Sequence, residues 1–289
     1  MIHFEKFSLD NGLTVMVNTD KSTQMVAMNI LYKVGARNED PAKTGFAHLF
    51  EHLMFNGSEN YNEDWFKMMG RIGGTGMNGT TSFDRTNYFQ NVPVTALDTA
   101  LWLESDRMGH LLGAIDQARL DEQRGVVQNE KRQSENQPYG KVFSTIFEDL
   151  FPTGHPYSWM VIGSMEDLDA ASLEDVRSFF TTWYAPNNAV LTVVGDIDEE
   201  EIIAAVERHF GAIPANPALP AHPDLALSAP LGGEIRKTIH DKVPEARVHF
   251  AFRAPVLSAP LIPAIEIATQ ILAGGKGSRL YRRLVRDEQ

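Results

Sequence analysis

In the run Gly45-Phe46-Ala47-His48-Leu49-Phe50-Glu51-His52-Leu53-Met54-Phe55, two histidines stand four residues apart with a glutamate between them. The run predicts a helix: nearly every other residue is apolar, no Gly or Pro interrupts it after Gly45, and Thr44 is placed to cap it. Residues four apart share a helical face, so His48 and His52 point the same way. Two imidazoles so placed can hold one Zn²⁺, each at about 2.0–2.1 Å. Glu51 is then within reach of a water beside the metal, where a carboxylate can take a proton as that water attacks a carbonyl. The plainer alternative is a pair of hydrogen-bonded histidines on an apolar helix. It leaves a carboxylate among Phe46, Leu49, Phe50, Leu53 and Phe55 without a reason to be there, and such burial is costly.

Charge narrows the partners. With 26 Lys plus Arg against 38 Asp plus Glu, the 289 residues carry a formal net charge of −12. Nucleic acid and anionic lipid both require a basic surface, so neither is expected as a partner. Neutral or basic peptides are compatible. There is no Cys, so a metal must be held by His and carboxylates. No apolar run approaches the ~18–20 residues that span a bilayer. Met1 to Phe7 lack the apolar core of a signal peptide; the expected compartment is the cytoplasm or periplasm of a bacterium, left open between the two.

Periodicity gives the rest of the layout. Ile2 to Leu9 and Leu13 to Asn18 flank Asn11-Gly12, a pair suited to a two-residue hairpin turn. A third strand is predicted over Met25 to Val34. A helix follows Asn62-Glu63-Asp64, then a strand pair over Thr75 to Phe83 and Arg85 to Val92. The first of these contains Gly76-Met77-Asn78-Gly79-Thr80, where missing side chains let another backbone approach. Helices are predicted over Val94 to Leu112, Gln117 to Gln133 and Val142 to Leu150. Another runs from a Ser172/Asp175 capping box to Tyr184, and one from Glu199 to Phe210. Ala189 to Val194 reads as a buried strand. Prolines 214, 217, 220, 223 and 230 mark a linker. Beyond it, strands are predicted over Glu234 to His240 and Arg247 to Phe252, and helices over Leu261 to Leu272 and Ser278 to Arg286. This order echoes the opening of the chain. The fold class expected is α+β: a mixed or antiparallel sheet flanked by helices, with one complete domain at 1–212, a linker at 213–232, and the start of a second, similar domain at 233–289.

A catalytic zinc needs a third protein ligand and an open position. Glu130 stands out because it shares a helical face with Val126 and Val127, although a solvated helical glutamate has the same pattern. Thr44 to Ser58, then Asn78, Thr80 and Phe83-Asp84-Arg85-Thr86-Asn87-Tyr88, then Arg124 to Glu130, together resemble the pitrilysin/insulinase family of zinc metallopeptidases, whose H-x-x-E-H motif is the inverted form. The similarity extends over the whole chain. It is strongest to smaller bacterial members similar to the mitochondrial processing peptidase.

The resemblance implies that His48, His52 and Glu130 bind one Zn²⁺ and that Glu51 is the general base of an endopeptidase. Peptides or unfolded segments would bind in extended form along the Gly76–Thr80 strand, with Asn78 and Gly79 at the contact. Arg286 matches an arginine that binds the scissile carbonyl; the accompanying tyrosine would lie just past Gln289. The chain is therefore expected to lack most of its second domain, which either follows on the same polypeptide or is supplied by a homo- or hetero-oligomer. Alone, it is expected to bind zinc without turnover. In one departure from the family, Gln123 replaces a supporting glutamate seven residues before Glu130. Glu122 is the imperfect substitute, and such changes typically cost about 10–100-fold in metal affinity or activity. The alternative to an enzyme is a non-catalytic scaffold or peptide-binding subunit of the same fold.

Overall fold

Val26, Met28, Ile30 and Tyr32 are buried while the residues between them are exposed or half-exposed, the alternation of a strand with one packed face. In the computed structural model, which describes residues 3–227 and 230–288, they belong to β3 (Met25–Tyr32). Its companions are β1 (Glu5–Ser8), β2 (Thr14–Thr19), β4 (Thr75–Thr81), β5 (Thr86–Pro93) and β6 (Ala189–Gly195). The sheet order is β1-β2-β6-β3-β5-β4. Only β2 and β6 run parallel, so the sheet is mixed, as expected, and β4 is an edge. Gly12 turns the first hairpin at φ +86°, while Asn11 donates its amide to the carbonyls of Phe210 and Ile213.

The packed face of the sheet carries Val15, Val17, Tyr88, Val92, Leu191 and Val193 as well. These join one core with residues of α1 (Phe46–Leu53), α3 (Leu97–Gly109), α7 (Leu173–Trp183) and α8 (Glu199–Phe210). The other helices of this unit are α2 (Trp65–Arg71), α4 (Gln117–Glu135), α5 (Val142–Leu150) and α6 (Met165–Ala170). Ser172 and Asp175 form the capping box read from the sequence. The helix predicted from Val94 begins instead as a 3₁₀ turn over Val94–Ala96.

The chain divides into two compact units. The first runs to Pro230 and takes in Ile235–Glu245; the second comprises Leu231–Glu234 and the residues from Ala246 on. The proline-rich stretch is stitched to the first unit as far as Leu225. Asn187 and Asn216 exchange hydrogen bonds, His222 stacks on Trp183, and His155 Nε2 lies 3.3 Å from the Leu225 carbonyl. The second unit contains α9 (Ile262–Ala273) and α10 (Arg279–Tyr281), which continues as a π-helical stretch over Arg282–Asp287.

Two expectations need correction. Neither Glu234–His240 nor Arg247–Phe252 forms a strand, and among the described residues no β-ladder reaches them. Val248, Phe250 and Phe252 are 78–82% exposed, and isolated β-segments without a sheet to join are not stable. The echo of the opening strands is therefore absent from the described second unit. The cap of α1 also differs: the N-cap is Gly45, at φ +89° with no side chain to offer, and Thr44 donates its hydroxyl to Asp167 instead.

Candidate metal centre

Helical spacing on α1 brings the His48 and His52 rings to a centroid distance of 4.8 Å, set edge to face. α4 packs across α1 with Leu120 and Val127 buried, and one turn after Val127 it delivers Glu130. The Glu130 Oε2 atom is 3.8 Å from His48 Nε2 and 3.5 Å from His52 Nε2. One ligand atom from each of the three residues lies within 4.8 Å of the others. Among the described residues this is the one such group of three or more His, Cys, Asp or Glu side chains.

The donor set fits zinc. Two imidazole nitrogens and a carboxylate oxygen, with no thiolate, form the ligand type of catalytic sites, and bonds of about 2.0–2.1 Å in a tetrahedron put ligand atoms about 3.3 Å apart. The two Glu130 separations exceed this by about 0.5 and about 0.2 Å, and each pair of ligand atoms lies within 4.8 Å. Burial, with the neighbouring His52 second, pushes His48 down to about 4, so its ring is neutral near pH 7, the form that ligates. The three side chains remain partly exposed, leaving access from one side.

Glu51 is 8% exposed. Burial raises its pKa above the usual carboxylate range, against the hydrogen bond from Thr81 and the charge of His52, while Glu130 adds to the rise. The Thr81 hydroxyl donates to Glu51 Oε2 at 2.5 Å. On the same face of β4, a Cβ on Gly79 would meet Glu51 Oε1 at 2.9 Å, and Glu51 Cγ and Phe55 Cε2 at 3.0 Å. The close approach inferred from the glycines is thus, on this face, the approach of α1 itself. Asn78 is exposed on the edge strand, paired with Phe89 of β5.

The remaining predicted residues divide. Gln123 donates its amide to Asn56 Oδ1 at 3.3 Å, and Glu122 is exposed. His48 Nδ1 is buried and has no hydrogen-bond partner among the described residues, whereas ligating imidazoles usually hold such a partner. Arg286 belongs to the second unit, with its guanidinium 6.0 Å from the centre of the Tyr281 ring. Thr81 was missed by the sequence reading, although strand alternation puts it on the same face as Gly79.

Comparison with known proteins shows what the chain is similar to. Residues 14–156 match the family model "Insulinase (Peptidase family M16)" and residues 170–289 match "Peptidase M16 inactive domain". All four site residues lie in the first match. The zinc protease PqqE of Helicobacter pylori is 32% identical over 285 residues, covering 97% of this chain and 63% of that protein; the chain thus spans just under two thirds of that relative's length. A crystal structure of a protease from Helicobacter pylori superposes with a TM-score of 0.82 at 29% identity, covering 100% of this chain and 69% of the other. The periplasmic protease PqqL from Escherichia coli gives 0.69 at 26% identity, covering 76% of this chain and 25% of the other.

Proposed function

The chain belongs to the pitrilysin/insulinase family of zinc proteases, and from that premise we propose that it carries the zinc-dependent endopeptidase site of that family. The observation that carries the proposal is the convergence of His48, His52 and Glu130 beside a buried glutamate. Bound there, zinc would polarise a substrate carbonyl and bring the pKa of water toward about 7. His48 and His52 would offer ring nitrogens and Glu130 a carboxylate oxygen. Glu51 takes the proton of the attacking water and returns it to the leaving amine, and Thr81 keeps its carboxylate oriented. The substrate is a peptide or unfolded segment in extended form, added along the β4 edge at Asn78 and Gly79. Arg286, in the second unit, enters the proposal by family resemblance alone.

Glu51→Gln tests the reading. Assayed with a complete second domain present, it removes the base while keeping shape, so peptide hydrolysis should fall by about 10²–10⁴-fold with zinc content unchanged. Undiminished hydrolysis would refute it. One observation favours a second reading, a non-catalytic scaffold or peptide-binding subunit of the same fold: Gln123 is engaged with Asn56 and leaves the ligands without its support. A partner subunit and a cytoplasmic or periplasmic setting belong to the same proposal; among the described residues no helix is long and apolar enough to cross a membrane.

A further inference from the structure

The motif helix is only eight residues long and lacks a side-chain cap of its own. Helices this short are marginal without tertiary support, and the first-turn N–H groups need acceptors. Two of them, Gly45 N and Ala47 N, find theirs in Glu39. Its Oε2 accepts from Gly45 N at 3.0 Å and its Oε1 from Ala47 N at 2.8 Å, so one carboxylate spans the first turn. A third donor, Trp159 Nε1, reaches Oε2 at 3.1 Å. Glu39 is 7% exposed; burial raises its carboxyl to about 8, against the hydrogen bonds from Ala47, Gly45 and Trp159. All three of these partners are N–H donors, two of them at the positive end of a helix.

The segment that brings Glu39 there is fixed at its other end to the second half of the site. Ala36 N donates to Ser82 O at 3.1 Å and Arg37 N to Phe83 O at 2.9 Å, at the turn of the β4–β5 hairpin directly after Thr81. The fit is close enough that a Cβ on Gly35 would lie 2.3 Å from Ser82 O. Residues 35–39 therefore bridge the strand that carries Gly79 and Thr81 to the helix that carries His48, Glu51 and His52.

We propose that Glu39 is a positioning residue of the metal centre: it caps the motif helix from outside and sets that helix against the strand whose Thr81 holds Glu51. The proposal rests on the zinc-site reading above but has a test that does not need the metal. In Glu39→Gln the volume is kept, while an amide NH₂ must face an N–H donor. A lost cap corresponds to about a 2- to 30-fold change in local order.

In the metal-free 289-residue chain, amide exchange across residues 47–53 should accelerate by that factor, and the His48 and His52 ring resonances should shift, while β3 and β6 amides keep their protection. Zinc affinity should fall by a similar factor. Glu39→Asp, too short to span both donors, should recover only part of the loss. Ile202→Val, a core truncation in α8, serves as the stability-matched control and should leave the ring resonances and zinc affinity unchanged. Native exchange and ring resonances in Glu39→Gln, or equal changes in Ile202→Val, would overturn the proposal. A wild-type chain that binds no zinc would refute the metal reading, while the exchange and resonance data would still decide the role of Glu39.

Discussion

Gly79→Ala adds a single methyl group at the point where strand and helix meet, and its consequence follows from the distances. The new Cβ would stand 2.9 Å from Glu51 Oε1 and 3.0 Å from both Glu51 Cγ and Phe55 Cε2, whereas ordinary contact begins at 3.4 Å. Glu51 or β4 must yield by about 0.5 Å, because Cγ near the root of the side chain is crowded as well as its tip. Overpacking of this kind costs about 1–3 kcal/mol, partly offset by the ~0.5–1 kcal/mol gained when Ala replaces Gly in a strand. The net loss of stability is therefore about 0–2.5 kcal/mol. The catalytic loss is larger: a misplacement of about 1 Å can cost about 10²-fold, so half of that, with the Thr81 hydrogen bond disturbed, should lower kcat about 10-fold. The assay pairs urea unfolding and zinc content of the chain with peptide turnover, which for every variant is measured with a complete second domain present. Gly125→Ala is the control, since nothing lies within 4 Å of a Cβ there. An unchanged kcat in Gly79→Ala would refute the contact between β4 and the base.

Thr81→Val keeps the shape of the side chain and removes the donor to Glu51 Oε2; kcat should fall several-fold with zinc affinity within about twofold of wild type, as measured by steady-state kinetics and metal competition. The Asp175 carboxyl is held below its ordinary pKa first by its hydrogen bond from Lys43 and then by Ser172. A lowered folded value means that its stabilising share is present above the unfolded pKa and lost as pH falls through the folded one. Asp175→Asn should therefore lose less stability than wild type between about pH 5 and about pH 3, read from urea midpoints.

How much of this was legible depends on how local the cause is. The α1 histidine pair, the Ser172/Asp175 box and the helix Glu199–Phe210 are set by residues within a few positions of one another, and the structure has them as read. The turn expected at the two residues Asn11-Gly12 is instead longer, closed by Gly12 N donating to Leu9 O and Leu9 N to Leu13 O, with Gly12 alone at positive φ. Glu130 is 78 residues from His52, and its pattern alone did not separate a ligand from a solvated residue; the packing of α4 on α1 brings its carboxylate to the histidines. The cap of α1 was misread because its true acceptor, Glu39, lies outside the helix and reaches it through tertiary structure. The strands expected after residue 233 had suitable composition, but strand formation depends on a neighbour to pair with, which a single segment does not encode.

The most direct test of the metal centre is elemental analysis of zinc in the purified chain, with wild type and Glu130→Gln side by side. The account predicts one zinc per wild-type chain and a sharp reduction in the variant. No zinc in the wild type after incubation with the metal, or equal zinc in both, would contradict a site built from His48, His52 and Glu130.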